Sequence, residues 1–345
     1  MVHKPFFSII IPTYNRAQLL KATLTITLKQ SFQNFEIIVS NNCSTDETRD
    51  VVRSFSDKRI RYYENNKNIG GEPNMKKAMS YARGKYIFTM GDDDFILYED
   101  TLGKVKKIIE DKKYDFIRLN LIERKFIGKG IRKSIITTEK DIEFKKGSSA
   151  EEILDFFHKI AVGHFAGLII KNSSDLSNQM NNCSVIPWIK IVYPITKKKG
   201  ALFLSNYYMV ITWSQGEILT HYDVRKNNRL MFEDYTDFIF SVMPKDMLGS
   251  YKLRYFNQYI IHQPVIKLYS TNLNLIKFDK RLLALEPRLK YNVLFWLSLL
   301  IALMLPNFFW RMVRVLQHKN KNILDQLENK DQIYKKFAII NRNYT

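Results

Sequence analysis

Five short apolar runs, Phe6–Ile11, Phe35–Ser40, Ile60–Tyr63, Lys85–Met90 and Phe116–Asn120, alternate with helical patterns at about 17–30, 46–56, 72–83 and 99–112. Several of the runs are apolar on both faces, which suits strands covered by helices on each side. Pro73 sits near the start of the third helical pattern, where its missing N–H does no harm, Gly84 stops that pattern, and Asp46 is placed to cap the second. The alternation predicts an α/β domain built on a mostly parallel sheet flanked by helices, with right-handed crossovers.

In such sheets ligands bind beyond the carboxyl ends of the strands. Three polar loops are expected there: Pro12-Thr13-Tyr14-Asn15-Arg16, Asn41-Asn42-Cys43-Ser44-Thr45-Asp46, and Gly91-Asp92-Asp93-Asp94. Three consecutive acids repel one another unless a cation or hydrogen bonds offset the charge. Their hard oxygens suit Mg²⁺ or Mn²⁺, ions commonly shared between one or two carboxylates and a substrate's phosphates. The plainer alternative is a polar turn that caps the next helix.

A net charge of +20 over 345 residues points to an anionic partner: nucleic acid, an anionic membrane face or phosphorylated substrates. No zinc-finger or RNA-binding signature accompanies it, so nucleic acid is not expected. No G-x-G-x-x-G follows the first strand, which argues against nicotinamide-dinucleotide binding. Cys43 and Cys183 are too few for a disulfide framework, and Phe6–Ile11 lacks the features of a signal peptide. A cytoplasmic setting is therefore expected.

Residues 121–245 read as an irregular acceptor-side half of the same domain (1–245), with short strands and loops around 163–167 and 186–188. Residues 246–345 read as a helical extension. Within it, 292–310 carries no charge, and its strongly apolar part, Val293–Leu305, ends at Pro306. A spanning helix wants about 20 apolar residues, so an in-plane or re-entrant helix is expected, with Phe308, Phe309 and Trp310 at headgroup depth. Residues 281–345 hold eleven Lys/Arg against four Asp/Glu, which suits the anionic inner leaflet. The alternative is a buried core helix.

Read in order, Phe7-Ser8-Ile9-Ile10-Ile11-Pro12-Thr13-Tyr14-Asn15-Arg16, Glu36 to Asp46, Asn68-Ile69-Gly70-Gly71 with Asn74, and Gly84 to Asp94 resemble a family 2 glycosyltransferase of the GT-A fold. The resemblance covers roughly residues 6–125. It implies inverting transfer of a sugar from a nucleotide-diphosphate donor to an acceptor hydroxyl in bacterial-type surface polysaccharide synthesis. The acceptor it favours is a glycan or polyprenyl-phosphate-linked, and the place of action is the cytoplasmic face of the membrane. By that resemblance Pro12, Thr13, Tyr14, Asn15, Asn41, Asn42, Asn68 and Asp92 bind the nucleotide sugar. Asp92, Asp93 and Asp94 hold Mg²⁺ or Mn²⁺, with Asp93 the first choice.

Two departures stand out. Asn41 and Asn42 replace the family's usual acidic pair, and Gly91 replaces the first Asp of its aspartate motif. An amide still accepts from a pyrimidine N–H, so UDP- or dTDP-linked donors are favoured. The family also places a catalytic acid about ninety residues beyond the metal motif, where this chain reads Cys183 to Ile189 without one. Asp175, Glu217 and Asp223 are the base candidates, with His164 a further option. Trp188 and Trp213 are read as core residues or as sugar-stacking rings. Two other functions compete: a nucleotidyltransferase, which expects a glycine in the 12–16 loop and finds none, and a non-catalytic basic binding protein.

Overall fold

The computed structural model describes residues 4–125, 131–134, 140–160, 164–173, 176, 187–213, 272–285 and 287–306. They fall in two compact units, one running to Trp213 and the other lying within Ser214–Asn320. The expected boundary near residue 245 lies outside the described residues.

In the first unit the elements are β1 (Phe7–Thr13), α1 (Ala17–Thr27), β2 (Phe35–Asn41), α2 (Thr48–Arg53), β3 (Ile60–Glu64), α3 (Gly71–Ser80), β4 (Tyr86–Thr89), β5 (Phe95–Ile96), α4 (Thr101–Lys112) and β6 (Phe116–Lys125). Then come β7 (Ile131–Ser134), β8 (Ile142–Phe144), α5 (Ala150–Lys159), β9 (Leu168–Lys171), α6 (Pro187–Lys199) and β10 (Ala201–Trp213). All five expected strands form. β1 and β2 are buried on both faces, as their unbroken Ile, Val and Phe content requires.

The sheet order is β3-β2-β1-β4-β9-β6-β10-β5, with β7 on β6 and β8 on β10. β1 pairs in parallel with β2 and β4, and β2 with β3. β9 enters antiparallel between β4 and β6, and β6 pairs in parallel with β10. Six strands thus share one direction. The chain runs outward from β1 through β2 to β3, then crosses to β4 on the other side of β1. That reversal is a topological switch point, the place where open α/β sheets commonly bind ligands. Pro12 falls where it can do least harm: the β1–β4 register ends at Ile10↔Thr89, so its missing donor costs no bond there.

Below the site, Glu36 ties the strand starts together. Its Oε1 accepts from Ser8 Oγ (2.6 Å) and the Arg83 N–H (2.7 Å), and its Oε2 pairs with Arg61 (2.7 Å). The turn at Gly84 closes on β1 so tightly that a Cβ there would meet Ser8 N at 2.6 Å and Phe7 C at 2.8 Å.

One expectation is corrected in this unit. The region of Pro187 and Trp188, read as loop or short strand, forms α6. Pro is well tolerated in a first helical turn, and Lys197–Lys199 complement the dipole at the far end. Trp188 is buried and stacks on Phe165 at 6.4 Å between centroids, so it is a core residue.

In the second unit, α7 (Asn272–Leu285) and a 3₁₀ turn (Pro287–Tyr291) precede α8 (Val293–Met304), whose start is capped by the Asn292 side chain accepting from the Phe295 N–H. No described helix is long and apolar enough to cross a membrane. Phe308–Trp310 lie outside the described residues.

The Gly84 contact yields a direct check. Gly84→Ala drives a Cβ into backbone that cannot yield, and is expected to lower unfolding stability in urea by about 1–3 kcal/mol.

Candidate functional site

The site is assembled at the carboxyl ends of β1, β2 and β4. Thr13, the last residue of β1, is buried, and its hydroxyl donates to Asp92 Oδ2 at 2.7 Å. From the next loop, Arg16 reaches the same acidic turn. Its two terminal nitrogens bridge Asp92 Oδ1 (2.5 Å) and Asp93 Oδ2 (3.0 Å), and all three side chains are mostly enclosed, at 13%, 6% and 13% exposure.

Asn15 adopts a left-handed backbone (φ 52°), a conformation that Asn tolerates better than most residues. Its Oδ1 accepts from the Thr45 N–H (2.7 Å), and its own N–H donates to Ser44 Oγ (2.8 Å). The first and second loops are thereby stitched together. Asp46 completes the seam: it accepts from the Ala17 N–H (2.9 Å) at the start of α1 and from the Thr48 N–H (3.1 Å) at the start of α2. Asp46 stands one residue before the N-cap Glu47 of α2, so it meets the first N–H of each helix without being the cap residue itself. Tyr14 is left projecting at 42% exposure.

Asn41 and Asn42 are buried and shape the loop from within. Asn41 donates to Tyr62 OH (2.8 Å) and accepts from the Ser44 N–H (3.0 Å). Asn42 donates to Asn68 Oδ1 (2.8 Å) and accepts from Asn65 Nδ2 (3.1 Å) and the Ile69 N–H (3.0 Å). Asn74 accepts from Ser40 Oγ (2.7 Å) and Asn65 Nδ2 (2.9 Å), extending the carboxamide network to α3. Sequence reasoning missed Asn65 and Tyr62, whose only signal was their place at the end of β3.

The three acids share one turn but differ in their partners. Gly91 admits a tight turn in which Asp94 Oδ2 accepts the Gly91 N–H at 2.8 Å; a Cβ at Gly91 would lie 2.6 Å from that oxygen. Thr23 of α1 fixes the turn from below through the carbonyls of Asp92 (2.9 Å) and Asp94 (3.0 Å). Burial, and then the charges of Asp93 and Asp92, hold the Asp94 carboxyl well above the ordinary range despite the Gly91 N–H and Arg16. Asp92 and Asp94 are both buried, and Asp93 is partly exposed. Among the described residues no group of three or more His, Cys, Asp or Glu is arranged to hold a metal ion. Two carboxylates on one cation fit an ion shared with a ligand's phosphates and do not fit an all-protein cage.

Behind the turn, Arg118 of β6 is fully buried, a placement its charge gave no reason to expect. It donates to the carbonyls of Ile160 (3.1 Å) and Ala166. Burial pulls its guanidinium down to about 9, against the opposing charge of Asp94. His164 Nδ1 accepts from the Ala166 N–H (3.3 Å), and burial, then Arg118, pushes the imidazole down to about 3. Asp175, Glu217 and Asp223 lie outside the described residues.

The family profile for glycosyl transferase family 2 matches residues 8–174. The chain is 31% identical over 163 residues to a GalNAc(5)-diNAcBac-PP-undecaprenol beta-1,3-glucosyltransferase of Campylobacter jejuni, a match covering 45% of this chain and 52% of that protein. It is 30% identical over 126 residues to the UDP-Glc:alpha-D-GlcNAc-diphosphoundecaprenol beta-1,3-glucosyltransferase WfgD of Escherichia coli, covering 35% and 50% respectively. The chain thus spans about half the length of these relatives. Among solved structures it resembles S. aureus TarS 1–349 in complex with UDP-GlcNAc, with a TM-score of 0.50 at 18% identity over 89% of this chain and 92% of that one, a likeness of fold. Over residues 8–174, just under half of this chain, the similarity is thus to glycosyl transferase family 2.

Proposed function

We propose that the protein transfers a sugar from a nucleotide-diphosphate donor, UDP- or dTDP-linked, to a hydroxyl of a lipid-linked glycan, with inversion, during surface polysaccharide synthesis. The observation that carries this reading is the joining of the β1 and β4 loops at the switch point, through Thr13, Arg16, Asp92 and Asp93. Two named relatives act on undecaprenol-diphosphate-linked glycans, which supports a polyprenyl-linked acceptor here.

In this reading the exposed Tyr14 ring covers the base, and Asn41, Asn42 and Asn68 hold the loop against which base and ribose rest. Cleavage of the glycosidic bond leaves negative charge on the nucleoside diphosphate. Arg16 and the amino ends of α1 and α3 supply positive potential on that edge. Asp92 and Asp93 are the residues that would hold Mg²⁺ or Mn²⁺, which as a Lewis acid stabilises the departing diphosphate by several kcal/mol. A carboxylate on the opposite sugar face removes the acceptor proton, typically contributing about 10²–10⁴-fold, and attack from that face inverts the anomeric centre. Asp175 and Glu217 are the proposed bases.

The acceptor's lipid calls for an enzyme held at a membrane surface, which we place on the cytoplasmic face. On α8, Val293, Leu294, Trp296, Leu297, Leu300 and Met304 are exposed, and Phe295 and Ala302 are buried. At about 1.5 Å per residue the helix is too short for a hydrocarbon core of about 30 Å, so lying in the interface is the placement its length allows. Exposed Arg288 and Lys290 just before it suit anionic headgroups.

Asp93→Ala is expected to lower nucleoside diphosphate release from a UDP-sugar by roughly 10²-fold, with the circular dichroism spectrum unchanged; undiminished turnover would reject the assignment. Leu297→Asp with Leu300→Asp should release the protein from vesicles containing anionic lipid in a flotation assay. Unchanged flotation would place the membrane contact elsewhere.

A further inference from the structure

We propose that Arg16 and a divalent cation are alternative occupants of the space between Asp92 and Asp93, so that the nucleotide must draw Arg16 away before the metal can bind. The inference rests on the reading of Asp92 and Asp93 as the metal-holding pair and assigns Arg16 a positioning role that the sequence did not reveal.

One guanidinium already bridges the two carboxylates, with a separate nitrogen on each, in a nearly enclosed setting. The oxygens it takes, Asp92 Oδ1 and Asp93 Oδ2, are ones through which a cation would bridge the pair, and Asp92 Oδ2 accepts from Thr13. A divalent ion placed there with Arg16 unmoved would sit against a like charge at short range, where screening is weak. Asp94 offers no escape, because its carboxyl is buried and accepts the Gly91 N–H.

A nucleoside diphosphate changes this balance. Its oxygens match the guanidinium fork at least as well as two separate carboxylates do. Arg16 stands immediately before α1, in the loop that lines the crevice, so its head can exchange one anion for the other without disturbing the sheet. Once Arg16 turns to phosphate, Asp92 and Asp93 lose the positive charge that bridged them, beside further anionic oxygens, and a divalent cation restores it. Nucleotide and metal therefore bind with positive coupling, and by linkage each raises the affinity of the other by the same factor.

The test is an Mn²⁺ titration followed by electron paramagnetic resonance, with and without saturating UDP, on the full chain and on Arg16→Gln and Arg16→Lys. For the unaltered chain, UDP is expected to tighten Mn²⁺ binding by about tenfold or more. Arg16→Gln should bind Mn²⁺ about tenfold tighter than the unaltered chain when UDP is absent, with a correspondingly smaller gain on adding it. Arg16→Lys, a single point charge, should fall between. If Arg16→Gln binds Mn²⁺ no more tightly than the unaltered chain without UDP, while both bind it with UDP, the competition is refuted and the metal pair stands. If neither binds Mn²⁺ even with UDP, the metal pair itself is wrong and the inference falls with it.

Discussion

β1 has parallel neighbours on both sides, and the chain leaves it in one direction through β2 and returns to its other side as β4. Two loops more than seventy residues apart in sequence are thereby brought within hydrogen-bonding distance, as the 2.7 Å bond from Thr13 to Asp92 records. That bond is possible only because β1 is buried on both faces, which fixes its register against β2 and β4. The second loop adds its own fastening through Asn15, Ser44 and Thr45, so the crevice has a floor before any ligand arrives.

Charge then decides how the acidic turn is built. Two like unit charges about 4 Å apart repel by about 4 kcal/mol at an effective dielectric near 20, so three adjacent acids could not all face one point unaided. The structure separates them. Asp94 is turned inward and its carboxyl is held toward the neutral form, and Asp92 and Asp93 share Arg16. Arg118 lies behind the same turn, pinning the carbonyls of Ile160 and Ala166 and so holding the segment that leads into β9. The β1–β4 and β6–β9 parts of the first unit thus meet around one set of buried charges.

Much of this was legible in the sequence. Runs such as Phe7–Ile11 and Phe35–Val39 read as doubly covered strands, and the loops after them fall on one edge of the sheet by topology. The family resemblance pointed to the same loops. What escaped detection depends on distant pairing. β9 inserts antiparallel between β4 and β6, and nothing local in Leu168–Lys171 announces its neighbours. Arg16 was visible in its loop, but its two partners lie 76 and 77 residues away. Nothing local to Arg118 announces its burial or its carbonyl partners. Asn41 and Asn42 were read as nucleotide contacts, and their side chains also fasten the loop to Tyr62 and Asn65, partners that local pattern does not disclose.

The account stands on the crevice between β1 and β4 as the donor site. Crystals grown with UDP and Mn²⁺, with data collected at the manganese absorption edge, test that placement most directly. The expected result is an anomalous peak in contact with Asp92 and Asp93, the diphosphate beside it, and the uracil against Tyr14. A nucleotide bound away from these loops, or an ion bound without Asp92 or Asp93, would contradict it.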